Sequence, residues 1–248
     1  MKAVTLVIGV AVALLTAPAF AQGVDDFGAY GGDQGPARTT KNSAAEVRFG
    51  AYRPDADDGL NGTPFDDTFG DTLRFLVGIE GDWQALRLGN FASFGPGFGI
   101  GYTKFNAKAP FTEGGDRSEQ KTSLAIVPMY AVGVLRVDYL VENTAVPLAP
   151  YGKLGFGWAL WWSEDGGVTA EVDGDKARGS SLGYQGALGL MIALDWLEPD
   201  TAGSIDAMSG INHSYVFGEW YLSNLDGFGG DQLQLGTSTW FVGIAMEM

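Results

Sequence analysis

The chain has 248 residues, with 30 acidic and 15 basic side chains, no cysteine and a formal net charge of −15 at pH 7. The absence of cysteine excludes a disulfide framework, and the negative charge argues against nucleic-acid binding, because a polyanion would be repelled. Its 38 glycines, 12% aromatic residues and 46% hydrophobic residues, without long apolar runs after the N-terminus, favour many strands over membrane-spanning helices.

The N-terminal segment has the pattern of a secretory signal peptide. Lys2 is followed by an apolar run from Ala3 to Leu15, and small residues at Ala19 and Ala21 form an A-x-A site. The run is shorter than the roughly 20 residues of a membrane anchor, so we expect cleavage after Ala21. Residues 22–44 lack a hydrophobic period and are expected to form a flexible periplasmic leader that precedes a barrel at 45–248.

From Ala45 onward, apolar residues alternate with polar or small residues in eight stretches, which begin near residues 45, 72, 91, 121, 151, 180, 211 and 233. A period of two is typical of strands with one apolar face. Eight is the smallest common number of strands in an outer-membrane barrel. The sequence therefore predicts an all-β fold, an eight-stranded antiparallel up-and-down transmembrane β-barrel.

Individual stretches indicate which face is turned outward. In the third, glycine occupies every second position from 95 to 101, a groove that would admit a bulky side chain inside a narrow barrel. In the seventh, a lipid-facing Glu219 would be destabilising, so its face is assigned to the interior. We expect the apolar face of every strand to meet lipid; on the fourth stretch this face comprises Leu124, Ile126, Tyr130, Val132 and Val134.

A soluble, lipocalin-like barrel has the same number of strands and is the alternative. It would need a bare, glycine-rich exterior on the third and fifth stretches, whereas those residues suit a narrow lumen. Trp83 and Trp196 fall at one set of strand ends, and Trp162 and Trp220 fall at the other. This distribution predicts two interfacial belts, although these residues could also be large core side chains.

The presumed outer loops, residues 54–70, 106–120, 163–179 and 223–232, hold many of the acidic residues. The segment from Asp55 to Gly59 approaches a calcium-binding loop. Its glycine comes one residue early, however, and no glutamate stands at the twelfth position. Solvated surface charge is the favoured interpretation, and divalent-cation bridging to lipopolysaccharide remains an open alternative.

Charged residues on the strand faces that also carry the small residues predict a polar network in the lumen. Parity places Arg74 and Glu219 near the outer end, and it places Lys153 near the inner end with Glu46, Glu80, Asp195 and Glu247. Packed ion pairs and aromatic rings would fill an eight-stranded lumen, which argues against a general porin.

A hydrolase is a remote alternative, because His213 lies next to Ser214 and precedes Glu219. Adjacent strand residues point to opposite faces, and six residues of strand span about 20 Å, so geometry opposes a site built from these three, and only a serine on another strand remains possible. We therefore expect no catalytic residue, no metal ligand and no cofactor.

The segment from Gly210 to Phe217, followed by Leu225–Gly229, resembles the penultimate hairpin of an uncharacterised family of outer-membrane β-barrel proteins typical of myxobacteria and relatives. The resemblance covers residues 45–248 and implies fold and location but no catalytic residues. Expected partners are outer-membrane lipid, lipopolysaccharide and the barrel assembly machinery, with the chain itself a monomer. Two functional classes stay open: a structural or surface-interaction barrel, and a narrow channel or small-ligand carrier.

Overall fold

The structure is a computed structural model that describes residues 42–110, 117–172, 174–195, 211–230 and 232–248. Its elements, in chain order, are β1 (Ser43–Tyr52), α1 (Pro64–Phe69), β2 (Arg74–Trp83), β3 (Leu86–Leu88), β4 (Ala92–Pro110), β5 (Arg117–Val137), α2 (Tyr139–Asn143), β6 (Leu148–Asp165), β7 (Val168–Thr169), β8 (Glu171–Val172), β9 (Asp175–Lys176), β10 (Arg178–Ala193), β11 (His213–Asn224) and β12 (Thr237–Glu247). In the described part of the chain, no helix is long and apolar enough to cross a bilayer.

Eight long strands form a closed antiparallel barrel. Each pairs with its neighbours along the chain, and β1 pairs with β12, which closes the sheet. The short strand β3 pairs with β4, and β7 pairs with β6. Strands β8 and β9 form a separate hairpin. The prediction of an eight-stranded antiparallel up-and-down barrel is confirmed. Strand β1 begins at Ser43, two residues before the predicted start, and the proposed signal peptide lies outside the described residues.

One side of the barrel wall is taller than the other. Strands β4, β5, β6 and β10 have 19, 21, 18 and 16 residues, whereas β1, β2, β11 and β12 have 10 to 12. About 9–11 residues suffice to cross a bilayer. Segments expected to be loop, within 106–120 and 163–179, are therefore partly strand, because cross-strand pairing continues as far as Lys108 opposite Lys121 and Pro110 opposite Arg117.

Large apolar side chains cover the outside of the barrel. Strand β12 shows the alternation clearly, since Trp240, Val242, Ile244 and Met246 are exposed while the residues between them are largely buried. Other exposed members of this belt are Val47, Phe75, Leu154, Leu188, Val216 and Leu222.

The glycine face of β4 is turned inward, as the sequence predicts. A Cβ atom added to Gly99 would stand 2.1 Å from the Cζ atom of Tyr130, whose ring occupies that space. The same relation joins Gly189 to Tyr151 and Gly243 to Phe217. Glycines thus accept aromatic rings from other strands inside a narrow lumen.

The expected orientation of β5 is wrong. Its five apolar residues, Leu124, Ile126, Tyr130, Val132 and Val134, are buried inside the barrel, with exposures of 0 to 7%. They pack against apolar side chains of other strands and of the β1–β2 and β11–β12 connections in one core cluster. The opposite face carries Val127, Met129 and Leu135, so both faces of this strand are apolar and periodicity alone did not identify the outer one.

Candidate functional site

The middle of the lumen holds a buried cluster of five charged side chains, the lumen cluster: Glu46, Arg48, Glu80, Lys153 and Glu219. The guanidinium of Arg48 lies 2.7 Å from Glu80 and 2.8 Å from Glu219, and it also pairs with Glu46. The ammonium of Lys153 lies 3.0 Å from Glu46, 2.7 Å from Glu80 and 3.5 Å from Glu219. Each carboxylate therefore contacts both cations, and this pairing offsets part of the cost of burying three carboxylates and two cations.

Aromatic side chains complete this cluster. The hydroxyl of Tyr130 donates to Glu80 at 2.5 Å, and that of Tyr151 donates to Glu219 at 2.9 Å. The Arg48 guanidinium carbon lies within 6.0 Å of the ring centroids of Tyr130, Phe217 and Phe241. Such cation–π contacts are favourable where a cation has lost its water.

We call the barrel end that carries the β1–β2, β4–β5, β6–β10 and β11–β12 connections the loop-rich end. At the opposite end, Glu247 of β12 gathers several donors. Arg136 and Arg87 pair with it, and the Gln84 amide donates to it at 2.9 Å. Arg136 also donates to Asp138 at 2.7 Å. This second group of charges links β3, β5 and β12.

His213 lies near the strand ends at the opposite end of the barrel, where its Nδ1 pairs with Asp195 and its Nε2 lies 3.8 Å from Glu142. Asp195 also accepts a hydrogen bond from the backbone N–H of Ser214. Asp195 was predicted to lie with Lys153 in the lumen. In the structure, Asp195 follows the end of β10 and pairs with His213, the first residue of β11. His213 and Ser214, which are adjacent on β11, point to different faces of the sheet, as strand alternation requires.

Apolar residues fill the mouth at the loop-rich end. Ala56 and Phe65 from the β1–β2 connection are buried against Phe105 of β4, with a 5.2 Å separation between the two phenylalanine rings. The Tyr52 hydroxyl donates to the Leu235 carbonyl at 2.5 Å, which joins the β11–β12 connection to the same layer. This connection and α1 therefore form a folded cover over the lumen.

Acidic residues in this cover have structural partners. Asp57 accepts hydrogen bonds from the backbone N–H groups of Phe65 and Asp66, at 2.7 and 3.0 Å, in the first turn of α1. Arg53 contacts both carboxylate oxygens of Asp66 at 2.8 Å, and these bonds raise the pKa of Arg53 above its usual value. Asp57 of the segment 55–59 is therefore bound to the start of α1.

Within the described ranges, three acidic residues bring ligand oxygens within 4.8 Å of one another: Glu46, Glu80 and Asp82. They lie in the lumen, and Arg48 and Lys153 already occupy the space beside the two glutamates. Small cavities lie within the packed interior, one beside Asp82 and one beside Arg48, each with a volume of about 10 Å³. That volume holds about one water molecule.

Four of the six lumen residues named from the sequence meet in the lumen cluster: Glu46, Glu80, Lys153 and Glu219. Glu219 was expected at the other end from Lys153, but the register levels Lys153 with Ala187 and Tyr221, two residues from Glu219. Counting along a strand misjudges height because barrel strands are tilted.

Arg74 does not join the lumen cluster. It lies at the loop-rich end of β2 opposite Tyr52, and its buried Nε has no hydrogen-bond partner among the described residues. Arg48, which like Lys153 contacts all three glutamates, was not predicted from the sequence. Its signal was present, because Arg48 shares the face of Glu46 on β1.

Three of the four predicted belt tryptophans lie on the outer surface of the wall. Trp83 is exposed at the opposite end, whereas Trp220 and Trp162 lie toward the loop-rich end. The Trp220 indole donates to Ser238 at 3.1 Å, and the Trp162 indole donates to Glu164 at 3.3 Å. Trp196 lies outside the described residues, so the two-belt arrangement stays a prediction.

The strand pairing and the packed interior define a closed eight-stranded β-barrel with a filled lumen. No family model matches the chain, and no curated protein matches it. The resemblance to the myxobacterial family therefore stays a prediction.

Several solved bacterial barrels are similar in outline. The attachment invasion locus protein Ail of Yersinia pestis, solved with the heparin analogue sucrose octasulfate, is 12% identical, covers 84% of this chain and 97% of its own, and has a TM-score of 0.42. OprG of Pseudomonas aeruginosa is 12% identical over 85% of this chain and 97% of its own, with a TM-score of 0.41. The N-terminal barrel of Pseudomonas aeruginosa OprF is 10% identical over 84% of this chain and 100% of its own, with a TM-score of 0.33. No conclusion about function follows from these similarities.

Proposed function

We propose that this protein is a small barrel of the bacterial outer membrane with a sealed lumen, and that it has a structural or surface-interaction role through the acidic loops of its loop-rich end. One observation carries the proposal: the exterior is apolar around the wall while the charges are paired inside. This is the reverse of a water-soluble barrel and matches the alternation of membrane barrels.

The exterior supports the membrane location by its extent. Exposed apolar residues occur on every long strand, for example Phe75 on β2, Leu154 on β6, Leu188 on β10 and Val242 on β12. Soluble monomers rarely expose contiguous apolar surface on this scale. Lipid removes this penalty, because hydrocarbon chains contact the same side chains favourably.

A charge placed in the belt tests this orientation. Val242 is exposed midway along β12, whereas Val168 is exposed in the connection after β6. In vesicles, Val242→Arg is expected to lower the free energy of unfolding by about 2–4 kcal/mol, the cost of a cation near the bilayer midplane. Val168→Arg introduces the same charge outside the belt and is the matched control, with a small expected effect.

The comparison is read from urea titrations of the refolded chain in phosphatidylcholine vesicles. If Val242→Arg and Val168→Arg unfold at the same urea concentration, the exterior does not meet hydrocarbon, and the proposed location is wrong. Loss of stability only in the belt variant supports the proposal.

The two alternatives from the sequence have less structural support. A channel or ligand carrier needs an open path or a cavity, but the lumen cluster and the apolar cover fill the described lumen, and the cavities beside Asp82 and Arg48 have volumes of only about 10 Å³ each. A hydrolase built on His213 and Glu219 is disfavoured, because Glu219 is bound to Arg48 and Tyr151 deep in the lumen. Lipopolysaccharide, the assembly machinery and a monomeric state remain part of the proposal.

A further inference from the structure

Basic side chains gather on one outer face of the tall wall, near the loop-rich end. In a single register row across four strands, Lys104, Ala125, Trp162 and Arg178 are neighbours. These positions share the outward face with the exposed Tyr102. Strand spacing makes this row about 15 Å wide.

A second pair of cations lies four residues further out along the same strands. Lys108 of β4 is directly opposite Lys121 of β5, and both are exposed. Like charges at such a position destabilise a sheet. Neither lysine forms an ion pair with a side chain that the structure describes.

Between the two rows lies one carboxylate, that of Glu164, which pairs with Lys104 at 2.8 Å and accepts a hydrogen bond from Ser123 at 3.2 Å. The four cations therefore outnumber this acid on a surface about 15 Å wide and 13 Å tall. We name Lys104, Lys108, Lys121 and Arg178 the basic wall patch.

Directly below the patch, in the direction of the barrel centre, the same outward face becomes apolar. The next rows carry Val127 beside Leu160, and then Met129 beside Trp158 and Leu182. The patch thus lies at the boundary where the apolar belt ends, and Trp162 stands in that boundary row. A ligand that fills both surfaces has an anionic head directly attached to hydrocarbon.

We infer that the basic wall patch binds the phosphate groups of an anionic glycolipid headgroup in the outer leaflet, whose acyl chains pack on the apolar rows beneath. This inference rests on the proposed membrane location. Cations on an outer-membrane barrel wall attract phosphate most strongly where the bilayer holds the phosphate at their height, within a Debye length.

The charge of the rest of the chain favours a membrane-held ligand over a soluble one. The formal net charge of −15 and the exposed loop acids, such as Asp58 and Glu171, repel a soluble polyanion that approaches from outside. A lipid reaches the patch sideways within the leaflet and passes none of these loops.

The test uses the full chain in phosphatidylcholine nanodiscs with or without diphosphoryl lipid A. Native mass spectrometry counts the lipid A molecules retained per barrel, and a competition titration gives their relative affinity. The double variant Lys108→Gln/Lys121→Gln is expected to bind lipid A about 25-fold more weakly, at about fivefold for each surface charge removed. Arg87→Gln removes a partly exposed cation at the opposite end of the barrel, is the control, and should bind as the unchanged chain does.

Equal retention by the double variant and the unchanged chain would overturn the inference. Displacement of the headgroup by millimolar inorganic phosphate would also overturn it, because the patch would then be a site for free anions. Heat-modifiability on a gel is measured first for every variant. If the chain fails to insert, the proposed membrane location fails; if it inserts but retains no lipid A, only the patch assignment fails.

Discussion

At the scale of single residues, Glu219 shows how charge is accommodated inside the barrel. Its carboxylate is fully buried and contacts Arg48, Lys153 and the Tyr151 hydroxyl. Removal of Glu219 takes one of three carboxylates away from Arg48 and Lys153, and it leaves the buried Tyr151 hydroxyl without its acceptor. The lumen cluster is therefore expected to be sensitive at each of its members.

Glu219→Ala is expected to lower the free energy of unfolding by about 1–3 kcal/mol, because the buried Tyr151 hydroxyl and the Arg48 guanidinium lose an acceptor. Guanidinium unfolding in detergent micelles, followed by tryptophan fluorescence, measures this change. Glu171→Ala removes an exposed carboxylate and serves as the control, with little expected change. Unaltered stability in Glu219→Ala would show that the lumen cluster is misassigned.

At the scale of strands, close packing in the lumen depends on glycine opposite aromatic rings. Gly99 on β4 faces Tyr130 of β5, and an added Cβ would lie 2.1 to 2.5 Å from three atoms of the Tyr130 side chain. The tyrosine cannot move freely, because its hydroxyl is bound to Glu80. Space at this point is therefore fixed by two other strands.

Gly99→Ala is expected to destabilise the barrel by about 1–3 kcal/mol through overpacking. The matched control is Gly218→Ala on β11, where an added Cβ has no heavy atom within 4 Å. Both variants make the same chemical change in a strand, so thermal unfolding in one detergent compares packing alone. Equal melting temperatures for the two variants would contradict the assigned lumen packing.

The same scale shows what the sequence could predict. A period of two gave the number of strands and the inward faces of β4 and β11, because one face of each was glycine or charged. It misassigned β5, which is apolar on both sides. Glu46, Glu80, Lys153 and Glu219 were identified by parity, whereas their contacts were not, since strand tilt decides which residues are level.

Tertiary contacts account for the other differences. Arg48 was on the correct face but was not selected, and only the folded barrel shows that it contacts three carboxylates. Asp57 was treated as surface charge, whereas it binds two backbone N–H groups of α1. The basic wall patch needs β4, β5, β6 and β10 in register, which no local pattern contains.

At the scale of the whole molecule, the barrel is inverted relative to a soluble protein. Its paired charges lie in the lumen and its apolar residues lie outside, while the loop-rich end is covered by the folded β1–β2 connection. The proposed sealed lumen would direct interactions to the outer surface, where the acidic loops and the basic wall patch lie. We therefore propose that lipid surrounds the apolar wall of the barrel.

The most direct measurement of that claim is the state of the refolded chain with and without detergent or lipid. We expect heat-modifiable, protease-resistant barrel only in micelles or vesicles, and aggregation after their removal, because the apolar belt would then face water. A folded monomer that stays dissolved without detergent, as judged by analytical ultracentrifugation and circular dichroism, would contradict the account.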